Sequence, residues 1–313
     1  MCIEVIEGLE RLPPRLRRCV LTVGNFEGVH LGHQAILGKA RALADAEAAV
    51  LVAMTFDKPT RLVLSPRGDA EPILPREVKH RLLGEAGADV VVVAPASPAF
   101  LGTPAEAFVR EVVVGRFAAR CVVEGADFRF GRGRSGGIET LRELSGEGGY
   151  DVIEVAPVTA ELPGRGRVRI SSSLIRSLLG AGKVAEAAVC LGRPFVLYGR
   201  VVGGEGRGRQ LQFPTANVAP AAAIVPGDGI YAAWAELGGR RYKAAVSIGN
   251  RPTFGPTARC IEANLIDAAG DFYGQSIALA FVARLRDQVK FPDADALRAQ
   301  IAKDVERVRE LCR

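Results

Sequence analysis

The first half of the chain alternates apolar runs of strand length with segments in which apolar residues recur at helical spacing. The apolar runs are Cys19–Val23, Ala49–Phe56, Val90–Val93, Arg120–Val123 and Asp151–Val155, and two of the helical segments are His33–Ala46 and Val78–Glu85. This alternation is typical of βαβ units and predicts an α/β domain with a parallel, Rossmann-like sheet. Ligands of such sheets bind beyond the carboxyl ends of the strands.

After Gly182 the pattern changes to short β-type runs separated by glycine and proline, which predicts a small antiparallel β-barrel. These runs are Phe195–Val202, Ile230–Ala235, Lys243–Ile248, Ile261–Ile266 and Ile277–Leu285. From Asp293 to Leu311 apolar residues return at helical spacing, with the aspartate as a plausible cap, so we expect a final helix on the barrel. The sequence therefore predicts two domains, residues 1–182 and 183–313.

Composition narrows the class of protein. Hydrophobic residues make up 48% and charged residues 24% of the chain, which is the balance of a globular protein. The six cysteines form no CxxC pair, so neither a zinc site nor a disulfide framework is indicated. The start MCIEVIEGLERLPP is acidic, unlike a signal peptide, and the longest apolar run is too short to span a bilayer. We therefore expect a soluble, cytoplasmic protein without a membrane partner. The net charge of +6 suits phosphorylated metabolites and nucleic acids equally.

The most informative segment is GNFEGVHLGHQ, residues 24–34, which follows the first predicted strand and opens a helix. Its glycines allow a tight turn and close approach of a ligand, and free amides at a helix start favour phosphate. Spaced three apart, His30 and His33 would lie on one side and stabilise charge during nucleotidyl transfer. The structural alternative is two histidines that cap a helix or pack in a turn. The other residues that we expect to contact the nucleotide here are Gly24, Asn25, Phe26 and Gly28.

Two further motifs in this half favour an anionic ligand. In ISSSLIR, residues 170–176, Ser172 would contact phosphate and Arg176 could pair with the leaving phosphates, although a plain helix cap explains the motif equally well. A basic, glycine-rich loop follows Val123 and contains Asp127, and it could close on an anionic ligand. The alternative is a flexible, solvated loop without a ligand.

These three motifs resemble the adenylyltransferase module of bifunctional riboflavin kinase/FAD synthetases, in the HxGH nucleotidyltransferase superfamily. The family patterns GxFDGVHxGHQ, GxDFxFGxxxxG and ISSTxIR occur here in order. The resemblance implies that His30 and His33 handle the ATP phosphates, that Asp127 and its loop face the flavin nucleotide, and that Ser172 and Arg176 complete the ATP site. Glu27 replaces the usual aspartate, and TFDKPT, residues 55–60, replaces the usual TFxPHP.

The second half opens with a strand, a glycine-rich loop and a Pro-Thr pair, but without a GxxxxGK[ST] P-loop. We expect the loop, with Gly206 and Arg209, and the following Pro214 to contact ATP. Thr215 and Asn217 lie two apart on an extended segment and offer hard oxygen ligands for Mg²⁺ bound with ATP.

Glu262 lies in an apolar strand, where an unpaired carboxylate is costly unless it faces a cleft. It could accept a proton from an attacking alcohol; the alternative is a rim carboxylate paired with an arginine. Six segments resemble, in order, the riboflavin kinase module. They are FPTAN at 213–217, GIY at 229–231, IGNRPTF at 248–254, IEAN at 261–264, FYG at 272–274 and the segment 286–291. By that resemblance Glu262 is the catalytic base for the ribityl hydroxyl, and loops near Arg286 cover the flavin. Gln212 and Ser247 depart from the usual glycine and asparagine.

Together the motifs predict an enzyme that phosphorylates riboflavin to FMN and adenylylates FMN to FAD, using ATP and Mg²⁺, as a monomer or weak homo-oligomer. One alternative keeps the kinase with a weakened or altered nucleotidyltransferase domain, because of Glu27 and the missing PHP histidine. A nucleic-acid-binding protein that uses the arginine–glycine tracts at 129–137 and 164–169 is the other alternative. The aromatic content of 6% argues against it, as does the presence of a single aromatic residue, Phe130, in those tracts.

Overall fold

A computed structural model describes residues 3–64, 71–203, 215–250 and 259–313. The chain divides by its contacts into two compact units, Met1–Glu161 with Arg165–Ser172, and Leu162–Gly164 with Ser173–Arg313. This division falls earlier than residue 182, because the helices after Ser172 contact the second unit. The predicted boundary at 182 stays a prediction.

The first unit is built on a parallel sheet of six strands in the order β1-β4-β3-β2-β5-β6, as predicted. The strands are β1 Glu4–Glu7, β2 Val20–Val23, β3 Leu51–Phe56, β4 Val90–Ala94, β5 Cys121–Gly125 and β6 Asp151–Val155. Strands β2, β3 and β4 are entirely buried, since helices cover both faces of the sheet. Strand β1 was not predicted, because EVIE at the sheet edge is mostly exposed.

Helices connect these strands and carry the apolar residues that bury the sheet. They are α1 Leu31–Ala46, α2 Thr60–Leu64, α3 Arg76–Glu85, α4 Pro98–Leu101, α5 Ala105–Phe108 with a π-helical continuation Val109–Arg116, and α6 Ile138–Gly148. A two-stranded hairpin, β7 Thr159–Leu162 and β8 Gly166–Arg169, follows β6.

The order of the strands reverses between β2 and β5, which is where a ligand of this sheet is expected to bind. From β2 the chain winds to β3 and β4 on one side, and it later returns to β5 and β6 on the other. This reversal of strand order is a topological switch point, where ligands of open α/β sheets bind. The β2–β5 ladder ends at the pair Leu21 and Val122, so the two strands part before their carboxyl ends. The segment that contains His30 and His33 follows β2 directly.

The second unit holds the predicted barrel, which is closed by six antiparallel strands in the order β10-β13-β12-β11-β14-β9. The strands are β9 Val196–Val202, β10 Thr215–Pro220, β11 Gly229–Leu237, β12 Arg240–Asn250, β13 Arg259–Leu265 and β14 Ser276–Arg286. Closure satisfies the backbone groups that an open sheet edge would expose.

The described part of the second unit contains three helices: α7 Ser172–Gly180, whose first residue belongs to the first unit, α8 Val184–Leu191 and α9 Ala294–Leu311. The predicted cap of the last helix is confirmed, because the Asp293 side chain accepts a hydrogen bond from the Ala296 amide at 2.8 Å. Helix α9 buries Val305 and Val308 with Ala232 on the outside of the barrel.

Candidate functional site

The turn after β2 has a strained backbone. Phe26 and Val29 have positive φ angles of 47° and 41°, which residues other than glycine rarely adopt, and Gly28 has a φ of 77°. A Cβ atom on Gly24 would lie 3.2 Å from the Phe26 ring, so the absence of a side chain there admits that ring. Backbone strain of this kind is characteristic of ligand-binding turns, where the surrounding fold holds it in place.

The turn ends in two stacked imidazoles. The His30 and His33 rings lie 3.6 Å apart between centroids at 16° to each other, on one side of the turn as their spacing predicted. His30 is buried and also caps α1, because its Nδ1 accepts a hydrogen bond from the His33 amide at 3.4 Å. The structural alternative therefore describes part of what His30 does, and it also covers the packing of the His33 ring against His30 and Phe26.

His33 has the electrostatic properties of a neutral imidazole. Burial lowers its pKa well below the ordinary value, and the nearby His30 and Lys79 lower it further. The Phe26 ring meets it edge-on at 5.3 Å. Within the described ranges the buried Nδ1 of His33 has no hydrogen-bond partner. A buried polar atom in that state is costly and is characteristic of a site that meets a ligand.

Lys79 of α3 is a functional candidate that the sequence did not reveal. Its Nζ donates to the Thr55 hydroxyl oxygen at 3.0 Å, to the Phe56 carbonyl at 3.2 Å and to the Asn25 carbonyl at 3.4 Å. These three bonds tie the carboxyl end of β3 to the turn. Burial lowers the pKa of Lys79 to about 8. No motif marks this lysine, because it reaches the turn from a helix about fifty residues later in the chain.

The Asn25 side chain holds the start of α2. Its Nδ2 donates to the Thr60 hydroxyl and its Oδ1 accepts from the Thr60 amide, both at 3.0 Å. We expected Asn25 to contact the nucleotide; in the structure its amide group is already bonded to Thr60. Lys58, in the segment that replaces the usual TFxPHP, is exposed.

A second motif reaches the same turn. The Ser172 hydroxyl donates to the Glu27 carbonyl at 3.3 Å, which places Ser172 against the strained backbone. Glu27 is buried, and its Oε1 lies 3.7 Å from Nε of Arg61 on α2. The longer side chain at position 27 is thus accommodated by an ion pair. Arg176 belongs to the second unit by its contacts, so its role at the ATP phosphates stays a prediction.

The basic loop after β5 is closed by hydrogen bonds between its own backbone groups. Phe130 and Gly136 exchange backbone hydrogen bonds of 3.1 and 3.0 Å, which close the loop on itself. Arg132 and Arg134 at its tip are exposed. The Asp127 carboxylate forms an ion pair with Arg169 of β8. This side chain was expected to face the flavin nucleotide, and its half-exposed position keeps it accessible.

The second unit brings the predicted kinase residues into one polar row. Asn217 of β10 lies opposite Glu262 of β13, which in turn lies opposite Ser247 of β12. Thr215 shares the face of Asn217, as predicted, and it lies opposite Asn264. Directly opposed residues on antiparallel strands have Cβ atoms about 5 Å apart, so these side chains are in reach of one ligand.

The row lies on the outer face of the barrel. Its alternating neighbours Ala263 and Val246 are completely buried inside, and Ala245, two residues before Ser247, packs against α9 on the outside. Gln288, from the segment after β14, donates to the Ser247 hydroxyl at 3.0 Å and so covers one end of the row. Gly206, Arg209 and Pro214 lie outside the described residues.

Arg286 has a structural contact that the sequence did not predict. Its Nε and Nη2 bind the buried Asp304 carboxylate of α9 at 2.7 to 3.1 Å, and Gln300 donates to the same carboxylate at 2.9 Å. The Arg286 guanidinium also lies 5.7 Å from the Phe291 ring centroid. The expectation that loops near Arg286 cover a flavin stays a prediction; the guanidinium itself fastens α9 to the barrel.

We expect Asp304→Ala to lower the free energy of unfolding by about 3 kcal/mol, because it leaves the partly buried Arg286 cation unpaired. Urea denaturation measures this change. Glu306→Ala is the matched control, since it removes an exposed acid on the same helix that pairs with Arg309. Equal unfolding midpoints for the two variants would show that the buried pair does not stabilise the barrel.

Comparison with known proteins identifies both units. The FAD synthetase family model matches residues 12–173, and the riboflavin kinase family model matches residues 191–312. The bifunctional riboflavin kinase/FMN adenylyltransferase of Escherichia coli K12 is 34% identical over 98% of this chain and 97% of its own length. The protein of the same description from Bacillus subtilis is 35% identical, covering 92% of this chain and 90% of its own length.

A crystal structure described as that of a macrolide-efflux protein from Streptococcus pneumoniae has the same fold throughout. It superposes with a TM-score of 0.89 at 29% identity and covers 99% of both chains. Among the described residues of our chain, no helix has both the length and the apolar character needed to cross a bilayer.

The two family models match successive parts of the chain, FAD synthetase first and riboflavin kinase second, and they correspond to the α/β unit and the barrel. The curated relatives align over nearly the full length. The chain therefore belongs to the family of bifunctional riboflavin kinase/FMN adenylyltransferases.

Proposed function

We propose that the α/β unit transfers the adenylyl group of ATP to FMN at the turn that holds His30 and His33. A phosphate oxygen of FMN attacks the α-phosphorus, the bond to the bridging oxygen of the β-phosphate breaks, and pyrophosphate leaves. The imidazoles at the start of α1 stabilise the charge that develops on the phosphates, together with the helix amides. The observation that carries this assignment is the stacked pair at the switch point, with a buried His33 Nδ1 that meets no protein partner in the described chain.

Ser172 and Arg176 complete the ATP site in this proposal. The support for Ser172 is its hydrogen bond to the Glu27 carbonyl, which places the hydroxyl beside the turn. Arg176 lies one helical turn into α7 and supplies a cation for the departing pyrophosphate. Asp127 and the loop after it face FMN, and the exposed arginines of that loop are available to its phosphate.

In the barrel unit, Glu262 is the proposed base of the kinase reaction. The ribityl 5′-hydroxyl of riboflavin attacks the γ-phosphorus of ATP, ADP leaves, and the hydroxyl proton passes to the Glu262 carboxylate. The support is positional: Glu262 is partly exposed on the outer face and lies directly opposite Asn217. A carboxylate that served only the fold would not need this polar row beside it.

The row also suits a magnesium ion. The Thr215 hydroxyl and the Asn217 amide oxygen are hard ligands on one face of β10, and Mg²⁺ prefers such oxygens with few protein ligands and the rest from phosphate and water. These two residues would hold the ion. When bound with ATP, Mg²⁺ neutralises phosphate charge.

Labelled ATP tests the two reactions separately. With FMN and [α-³²P]ATP we expect the label in FAD, and with riboflavin and [γ-³²P]ATP we expect it in FMN. Labelled FMN without labelled FAD would favour a kinase whose first unit is weakened or altered. Failure of both reactions would overturn the proposal.

Because Lys79 contacts the histidine turn, its titration should make the rate of FAD formation, but not that of FMN formation, depend on pH. Its pKa of about 8 means that the ammonium loses a proton, and one of its three bonds, as the pH rises through that value. We expect FAD formation to fall above pH 8, and Lys79→Met to lose roughly tenfold to a hundredfold at pH 7 because the turn shifts from the end of β3. FMN formation in the same samples is the internal control. A Lys79→Met variant with wild-type rates across the pH range would remove Lys79 from the mechanism.

The remaining predictions concern the environment of the protein. A monomer or weak homo-oligomer, a cytoplasmic location and the absence of a nucleic acid partner are all consistent with the proposed reactions. Size-exclusion chromatography tests the first. Binding of labelled RNA at low salt, weakened steeply by added salt, would contradict the third.

A further inference from the structure

Glu124 lies at the point where β2 and β5 separate. The backbone ladder between the strands ends with Leu21 and Val122; in the same register, Glu124 would be the residue opposite Val23. The Val23 amide instead donates to the Glu124 side chain, at Oε1. On the other side of β2 the ladder with β3 continues normally, and the Gly24 amide reaches the Met54 carbonyl at 3.0 Å.

The Glu124 carboxyl thus replaces a main-chain carbonyl as the acceptor for the last residue of β2. The Thr22 hydroxyl donates to the same Oε1 at 3.4 Å. Val23 is followed immediately by the turn that carries His30 and His33, so its position sets where that turn begins. A side chain spans more distance than a backbone carbonyl, which lets the strands part while the amide stays bonded.

The buried position of Glu124 favours the uncharged form of its carboxyl group. It is 2% exposed, and burial raises its pKa well above the ordinary range; the bonds from Val23 and Thr22 oppose that shift, and the nearby Asp127 adds to it. A carboxylate here would repel the phosphates of a nucleotide bound in the crevice. A protonated acid accepts the Val23 bond without that repulsion.

We propose that Glu124 is a positioning residue for adenylyl transfer: its carboxyl holds Val23, and through it the histidine turn, while keeping β2 and β5 apart where the nucleotide binds. This inference rests on the proposed adenylyltransferase function of the α/β unit. It assigns a role to a residue outside the three motifs, and it makes the acceptor oxygen the essential feature.

Three variants separate this role from a general effect on folding. Glu124→Leu removes the acceptor and should lower kcat for FAD formation on the order of tenfold to a hundredfold, because the turn is displaced. Glu124→Gln keeps a neutral acceptor of the same size and should retain most activity. Glu154→Leu is the matched control, since Glu154 lies opposite Glu124 on β6 but is exposed and bonded to Arg142. Thermal unfolding followed by circular dichroism reports whether the α/β unit of each variant is folded, and FMN formation, which takes place in the other unit, is the internal activity control.

The pH profile supplies a readout that a structural role would not move. The side chain of Glu124→Gln cannot ionise, whereas the wild-type carboxyl group loses its proton at alkaline pH and then repels the phosphates. The FAD-forming rate of Glu124→Gln divided by that of the wild type should therefore rise with pH. Loss of the Lys79 proton affects both proteins equally and does not change this ratio. A pH-independent ratio, Glu124→Gln as inactive as Glu124→Leu, or Glu124→Leu at wild-type rates would each overturn the inference. If Glu124→Leu does not fold, the Glu124→Gln profile decides. A wild-type protein that makes no FAD would refute the proposed function instead.

Discussion

Replacing His33 by alanine is expected to reduce FAD formation from FMN and ATP roughly a hundredfold to a thousandfold, with FMN formation from riboflavin unchanged. The ring is neutral, stacked on His30 and held at a helix start, so its loss removes a preorganised donor from the phosphates. Steady-state rates of both reactions on one preparation measure the effect. The unchanged rate of FMN formation by the same chains is the internal control, because that reaction takes place in the other unit.

His30 requires a more selective substitution, because it caps α1 as well as stacking on His33. His30→Asn keeps a good capping group but removes the imidazole. We expect this variant to fold normally and to lose FAD formation to a similar extent. Wild-type adenylylation by His30→Asn would mean that His30 acts only as a cap, and the same result for His33→Ala would exclude both rings from the reaction.

Replacing Glu262 by glutamine is expected to lower FMN formation roughly a hundredfold to ten-thousandfold, because the amide cannot accept the hydroxyl proton. Adenylylation of supplied FMN should proceed at the wild-type rate, since it takes place in the other unit. Rates with riboflavin and with FMN as separate substrates measure the two effects. Glu236→Gln on the exposed part of β11 is a matched control. Equal loss of both activities would contradict separate sites.

Most strands could be predicted because burial leaves a direct trace in the sequence. Leu51–Phe56, entirely buried, was predicted as Ala49–Phe56. Asp151–Val155 was predicted without error although none of its residues is buried, because three of its five residues are apolar and β-branched. The segment at Thr215 was expected to be extended, but its place as a barrel strand depends on pairing with β9 and β13. No local pattern carries that information.

The candidate sites were predictable where chemistry and backbone shape coincide in one segment. His30 and His33 stand in a glycine turn, and Thr215 and Asn217 share a strand face. Lys79 was missed because only the tertiary fold brings its helix to the turn. Glu124 was missed although an acid next to a buried apolar run is a usable signal; the predicted strand ended at Val123, whereas β5 continues to Gly125.

The most direct measurement is the stoichiometry of the complete reaction. Purified protein, riboflavin, excess ATP and Mg²⁺ are incubated, and flavins and nucleotides are separated by chromatography over time. Two active sites on one chain predict that FMN appears first, and that each FAD is accompanied by one ADP and one pyrophosphate. Accumulation of FMN with ADP, and with no pyrophosphate or FAD even when FMN is supplied in excess, would contradict the account.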